Sequence, residues 1–145
     1  MVADKASAAF SDDEKAAMKA AVVEAKRAKQ ANAAAAEAAA VDEAIAAMPP
    51  ADRKLAQKVH ELVLAAAPDL GIRTWYGMPA YTKDGKVVTF FKPAEKFKSR
   101  YCTLGFEDAA ALDDGSFWPT SYAIKAIGPA EEKAITAMVK KAAGA

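Results

Sequence analysis

The sequence predicts an α+β domain: an antiparallel sheet of about four or five strands, with N- and C-terminal helices packed on one face, behind an alanine-rich N-terminal helix. Three observations predict this. Apolar residues recur at helical spacing over 41–66 and again over 129–142, while the stretch between them is rich in β-branched and aromatic runs. The connections between those runs are short, which suits antiparallel pairing and leaves no room for parallel crossovers. Helices at both ends of such a sheet can cover one of its faces.

The elements follow in order. Ser11-Asp12-Asp13-Glu14 is a capping box, in which the Ser11 hydroxyl accepts from the Glu14 N–H, and Asp12 and Asp13 suit the positive end of the helix dipole. A helix is predicted from there through Lys29, with Met18, Val22 and Ala25 as a thin apolar stripe; alanine propensity favours continuation to Ala40. The first forty residues hold no Gly or Pro, and Phe10 is their one aromatic, so residues 1–40 are expected as a helical or partly disordered segment that cannot build a core alone. Residues 41–145 form the predicted domain. Val41, Ile45 and Met48 make one short helical face, stopped by Pro49-Pro50. Pro50 opens a second helix with a stripe of Leu55, Val59, Leu62, Val63 and Ala66, which Pro68-Asp69-Leu70-Gly71 ends. Ile72–Tyr76, Val87–Phe91, Phe97–Leu104 and Ser121–Ile127 read as strands. Asp84-Gly85 accepts the positive φ angles of a type I′ hairpin turn. In the third strand, alternation places Phe97, Ser99, Tyr101 and Thr103 on one face and Lys98, Arg100, Cys102 and Leu104 on the other. Asp108–Leu112 reads as a helical turn. Pro129, Glu131 and Glu132 open the last helix, whose stripe is Ile135, Met138, Val139 and Ala142.

A net charge of +1 supplies no global field that would steer the chain to nucleic acid or to a membrane. Cys102 is the single cysteine, so no intrachain disulfide forms, which fits a reducing compartment. Met1–Lys5 lead into no long apolar run, so no secretory leader is expected, and the alanine runs are too weakly apolar to span a bilayer. These features point to a cytoplasmic protein without membrane attachment, expected as a monomer or weak homodimer.

Tyr76-Gly77-Met78-Pro79-Ala80-Tyr81, following Ala67-Pro68-Asp69, resembles the signature of the YdhG-like domain family. In that family a helical pair precedes the motif, and a Gly-centred hairpin and an aromatic-basic strand follow it. Here Asp84-Gly85-Lys86-Val87-Val88 and Phe97-Lys98-Ser99-Arg100-Tyr101 are similar, and the resemblance runs from about Val41 to the C-terminus. It implies helices on one face of an antiparallel sheet. Because some members are described as frataxin-like intracellular iron chaperones, it also implies iron as a ligand to be bound or donated. No cofactor is read from the residues themselves.

No catalytic or metal-site motif stands out. His60, the single histidine, has Ala56, Gln57, Val63 and Leu64 at helical spacing, none of them a metal partner, and is expected as an exposed or flanking residue. Cys102 is expected as a small buried hydrophobe, with a thiolate activated by Lys98 and Arg100 as the sharper alternative. Glu107, Asp108, Asp113 and Asp114 are explained by capping and an Asp-Gly turn. From Lys83 to Arg100 six cations face two acids, interleaved with Phe90, Phe91 and Phe97 and flanked by Tyr81 and Tyr101. That pattern fits nucleic acid or a protein partner, but alternation explains it without a ligand, as an apolar core face opposite a solvated lysine face. The best candidate is Tyr76–Tyr81. Gly77 and Pro79 are unusual inside a strand and predict a bulge or bend, which either merely turns the chain or opens a pocket at the sheet rim. Trp75, Tyr76, Met78, Pro79, Tyr81 and Trp118 are expected to line it, with Lys98 and Arg100 anchoring a small or anionic ligand.

Overall fold

The computed structural model describes residues 11–144. The reading of Met1–Lys5 and the first ten residues of the alanine-rich segment lie outside them. The chain divides into two compact units between Ala35 and Ala36. Helix α1 spans Asp12–Ala46, so the helix expected through Lys29 runs on through Val41 and Ile45, while Met48 lies in the turn after it. Its N-terminus is capped as expected, the Glu14 N–H donating to Ser11 Oγ at 3.2 Å. Every residue from 11 to 37 is exposed, Met18, Val22 and Val23 included. Among the described residues no helix is long and apolar enough to cross a membrane.

The second unit is an α+β domain built on a five-stranded antiparallel meander, β1 (Gly71–Trp75), β2 (Met78–Lys83), β3 (Lys86–Lys92), β4 (Cys102–Phe106) and β5 (Ser121–Ile124), each strand paired with its sequence neighbours. Helix α2 (Pro50–Ala66) precedes the sheet and α3 (Pro129–Ala142) follows it. Proline stands at the first turn of both helices, where its missing N–H breaks no hydrogen bond. The Glu131 carboxylate accepts the Gly128 N–H at 3.0 Å and fixes the start of α3.

One sheet face carries Ile72, Tyr81, Phe91, Leu104, Phe106 and Ile124. It packs with Val41 and Ile45 of α1, Ala56, Val59 and Val63 of α2, and Ile135 and Val139 of α3 in a single core. Pairing of Tyr81 with Thr89 and of Thr82 with Val87 leaves Val88 as the extra residue of a β-bulge. The bulge lets Val88 and Thr89 both turn inward, and both are fully buried. The Thr89 hydroxyl meets its burial cost by donating to the Gly105 carbonyl at 2.8 Å. At the far end of the sheet Lys83 Nζ donates to the Ala143 carbonyl at 2.8 Å, closing the C-terminus of α3.

Because every described residue up to position 37, from 11 on, is exposed, deletion of residues 1–35 is expected to shift the melting midpoint by less than about 3 °C. Deletion of residues 1–47 removes the buried Val41 and Ile45 and is expected to lower it by more than about 10 °C. Thermal unfolding of the two truncations separates these outcomes.

Candidate functional site

The Tyr76-Gly77 step is a hairpin turn. Tyr76 (φ 51°) and Gly77 (φ 76°) both lie in the left-handed region between paired Trp75 and Met78, which is the type I′ geometry of a two-residue β-connection. The expected kink that opens a pocket is therefore replaced by a tight turn, and Pro79 sits fully buried within β2. The nearest bulge lies further on, where Tyr81/Thr82 meets β3.

The eight expected ligand residues do not gather around one hollow. Tyr81 is fully buried on the helix-covered face. Trp75 and Met78 pair with each other on the opposite face, where Trp75 packs against Phe90 at 5.3 Å between ring centroids. The sheet itself therefore separates Tyr81 from Trp75. Tyr76 is 77% exposed at the turn. Trp118 precedes Thr120, whose carbonyl accepts the Phe106 N–H, so it stands at the other end of the strands, packed on the core margin. Lys98 is exposed in the β3–β4 connection with φ 54°, a left-handed residue that no continuous strand contains. The expected strand at Phe97–Leu104 accordingly starts only at Cys102, and its alternation holds for residues 102–104 alone. Of the eight, Arg100 reaches a cavity.

That cavity is a groove of about 790 Å³ on the helix-free face of the sheet, lined by Phe90, Lys92, Ser99, Arg100, Tyr101, Thr103, Ser121 and Ala123. Register explains it. Lys92 pairs with Thr103 and Thr103 with Ala123, while Phe90 pairs with Gly105 and Gly105 with Ser121, so these residues lie side by side on one face. Gly105 is a steric requirement, since a Cβ there would collide with the Phe90 ring. Without it the ring lies flat across β4. The guanidinium of Arg100 lies 5.5 Å from the Tyr101 ring centroid, and the ammonium groups of Lys92 and Lys96 lie 5.3 and 5.7 Å from that of Phe97. None of the five strands contains an acidic residue, and among the described residues no ion pair engages Arg73, Lys92 or Arg100. A second cleft, about 580 Å³ between α2 and the β5–α3 connection, has its Lys58 already paired with Glu132 and Glu61.

The basic-aromatic pattern is thus divided by the sheet. Tyr81 and Phe91 are core, as alternation predicts, while Phe90, Phe97 and Tyr101 stay at the surface beside the lysines. Phe90, Lys92, Ser99, Tyr101, Thr103, Ser121 and Ala123 were not in the expected site. The Phe90-Phe91 pair carries the signal that finds it, because consecutive strand residues face opposite ways and one of two adjacent phenylalanines must leave the core.

The side chains with nucleophile or base chemistry are engaged inside the fold. His60 is not exposed: its side chain is 18% accessible, and its Nδ1 is hydrogen-bonded to the Tyr81 hydroxyl at 2.8 Å. Burial lowers the His60 pKa against the opposing charges of Asp42 and Glu61, and burial raises that of Tyr81. The Cys102 thiol is buried and donates to Asp52 Oδ1 at 3.4 Å. Burial pushes it up to about 11, and Asp52 adds to the rise, which agrees with the buried thiol expected and runs against the alternative of a thiolate activated by Lys98 and Arg100. Asp52 Oδ2 also accepts the Glu95 N–H at 3.0 Å, which ties the start of the β3–β4 connection to the first turn of α2. Among the described residues no group of three or more His, Cys, Asp or Glu is placed to hold a metal, so the iron ligand implied by resemblance finds no ligand set there. No known protein family, curated protein or solved structure matches the chain.

Proposed function

We propose that this chain is a non-catalytic binding module whose ligand, an anion bearing a planar ring, seats on the helix-free face of the sheet. The observation that carries this reading is the groove itself, where Lys92 and Arg100 stand beside the Phe90 and Tyr101 rings on a face whose strands contain no acid. Cations supply attraction and orientation, and the rings supply flat apolar area, the usual division of labour in small-ligand sites. The engagement of His60 with Tyr81 and of Cys102 with Asp52 supports binding over catalysis, because neither side chain is free to move a proton or attack a substrate.

Titration of adenosine triphosphate, followed by backbone amide shifts, tests the reading. Shifts are expected at residues 90–92, 99–103 and 121–123, and Arg100→Ala or Lys92→Ala is expected to weaken binding about tenfold, the equivalent of about 1.4 kcal/mol. Shifts confined to the α2 cleft, or none at millimolar nucleotide, would refute it.

A further inference from the structure

Resting on that reading, we infer that the ligand of the open sheet face is a single-stranded nucleic acid, laid across the strands from the β1–β2 turn to β5. The face offers more than a pocket for one ring. Tyr76 and Trp75 meet at 5.0 Å between centroids, and Trp75 meets Phe90 at 5.3 Å. The result is a row of three aromatic side chains that begins at the exposed turn and ends over Gly105 of β4. Beyond Gly105 the floor changes to Thr103, Ser121 and Ala123, with the Arg100-capped Tyr101 as its wall. Five strands at about 4.8 Å spacing make the face about 19 Å wide. That suits the two or three stacked bases that open four-stranded sheets hold in other RNA-binding domains.

The charge follows the same path. Arg73 lies on this face of β1, Lys92 and Arg100 line the groove, and Lys96 and Lys98 are exposed in the β3–β4 connection. Lys96 is folded over Gly77, so the connection and the β1–β2 turn form one basic rim beside the aromatic row. Phosphates on the rim and bases on the rings is the arrangement by which single strands are bound without sequence preference. A duplex would meet the same cations but offer the rings no open base face. The hydroxyls of Ser99, Thr103 and Ser121 can bond base edges.

The test is fluorescence anisotropy of a labelled oligothymidylate of roughly 10 nucleotides, a length within the usual footprint of such surfaces. Parallel titrations use the annealed duplex, heparin and phosphatidylserine vesicles. Single-strand binding is expected to weaken about 20-fold between about 50 and about 200 mM salt, for three phosphates at about 0.7 each in the log–log slope. Tyr76→Asn keeps a residue at home in the left-handed turn while removing the ring, and Phe90→Leu keeps apolar volume. Each is expected to weaken the oligonucleotide at least about fivefold and to leave heparin unchanged. Equal loss of heparin binding, no loss in either ring variant, or a preference for duplex or vesicles would overturn the inference. In those cases the anion-binding reading stands, since the groove still takes a polyanion. If neither oligonucleotide nor heparin binds at low salt, both readings fall together.

Discussion

Tyr81→Ala is expected to destabilise the protein by about 3–5 kcal/mol, the range for removing a large aromatic side chain from a packed core. Tyr81 is fully buried and the largest of the side chains so enclosed. Its ring packs against the His60 imidazole at 5.8 Å, and its cross-strand partners are Ile72 and Thr89. Truncation leaves a cavity that β2, pinned between β1 and β3, cannot close. Tyr81→Phe keeps the volume and loses the hydroxyl, at an expected cost of about 1 kcal/mol, because the partly accessible His60 ring can take a water in its place. Urea denaturation of the two variants measures both values. A ligand-lining tyrosine would behave the other way: its loss would weaken binding and leave the midpoint in place.

The same pair makes a pH dependence. The Tyr81 hydroxyl and His60 Nδ1 share a hydrogen bond, and Nε2 lies 3.9 Å from Asp42. Burial lowers the His60 pKa in the folded state, so between that value and the unfolded value of about 6.5 the unfolded chain binds the extra proton. The contribution to stability is therefore complete above about pH 6.5 and falls as the pH drops through that region. His60→Gln is expected to flatten this part of the profile.

Local signals in the sequence were sufficient wherever a residue type permits one backbone geometry. Pro50 and Pro129 begin their helices, Ser11 caps α1, and Asp84 (φ 52°) and Gly85 (φ 76°) form the expected I′ turn. Tyr76-Gly77 has the same pair of angles, yet tyrosine tolerates a positive φ poorly. With Pro79 two positions on, the segment reads as an irregular strand. A glycine between two aromatic-rich runs is the signal that separates the two readings. At Phe97–Tyr101 the alternation is accidental, since a left-handed Lys98 and the bond from the Ser99 N–H to the Ala94 carbonyl make a compact loop that periodicity cannot distinguish from a strand. The polar interior was missed, because the stripe expected for this helix, Leu55, Val59, Leu62, Val63 and Ala66, leaves out Asp52. Asp52, Ala56, Val59, Val63 and Ala66 fall at i, i+4, i+7, i+11 and i+14, and all five are buried. The carboxylate at the head of an apolar stripe was the mark of a buried anchor. The groove was less legible because it draws residues from three strands and one loop, and which side of each strand faces outward depends on the Val88 bulge.

That anchor carries the second large effect. Asp52→Ala is expected to cost about 2–4 kcal/mol, since one carboxylate holds two donors that no other side chain replaces. Asp52 is 7% exposed in the first turn of α2, where the helix dipole favours a negative group. Without it the Glu95 N–H and the Cys102 thiol both lose their acceptor, and the connection that carries Lys96, Lys98 and Arg100 is freed from α2. Two readouts follow from one substitution. The urea midpoint falls, and Cys102, whose pKa is held near 11 by burial with a contribution from Asp52, becomes reactive toward a disulfide reagent at pH values where the native protein is inert. Asp52→Asn keeps one acceptor oxygen and is expected to recover the Glu95 bond and about half of the stability. Under native conditions the loss should be local as well as global, so that Arg100→Ala weakens nucleotide binding less in the Asp52→Ala background than alone, because an unheld loop no longer presents the guanidinium to the groove. Full additivity of the two substitutions, with Cys102 still unreactive, would mean that the connection is positioned by the sheet and not by the helix carboxylate.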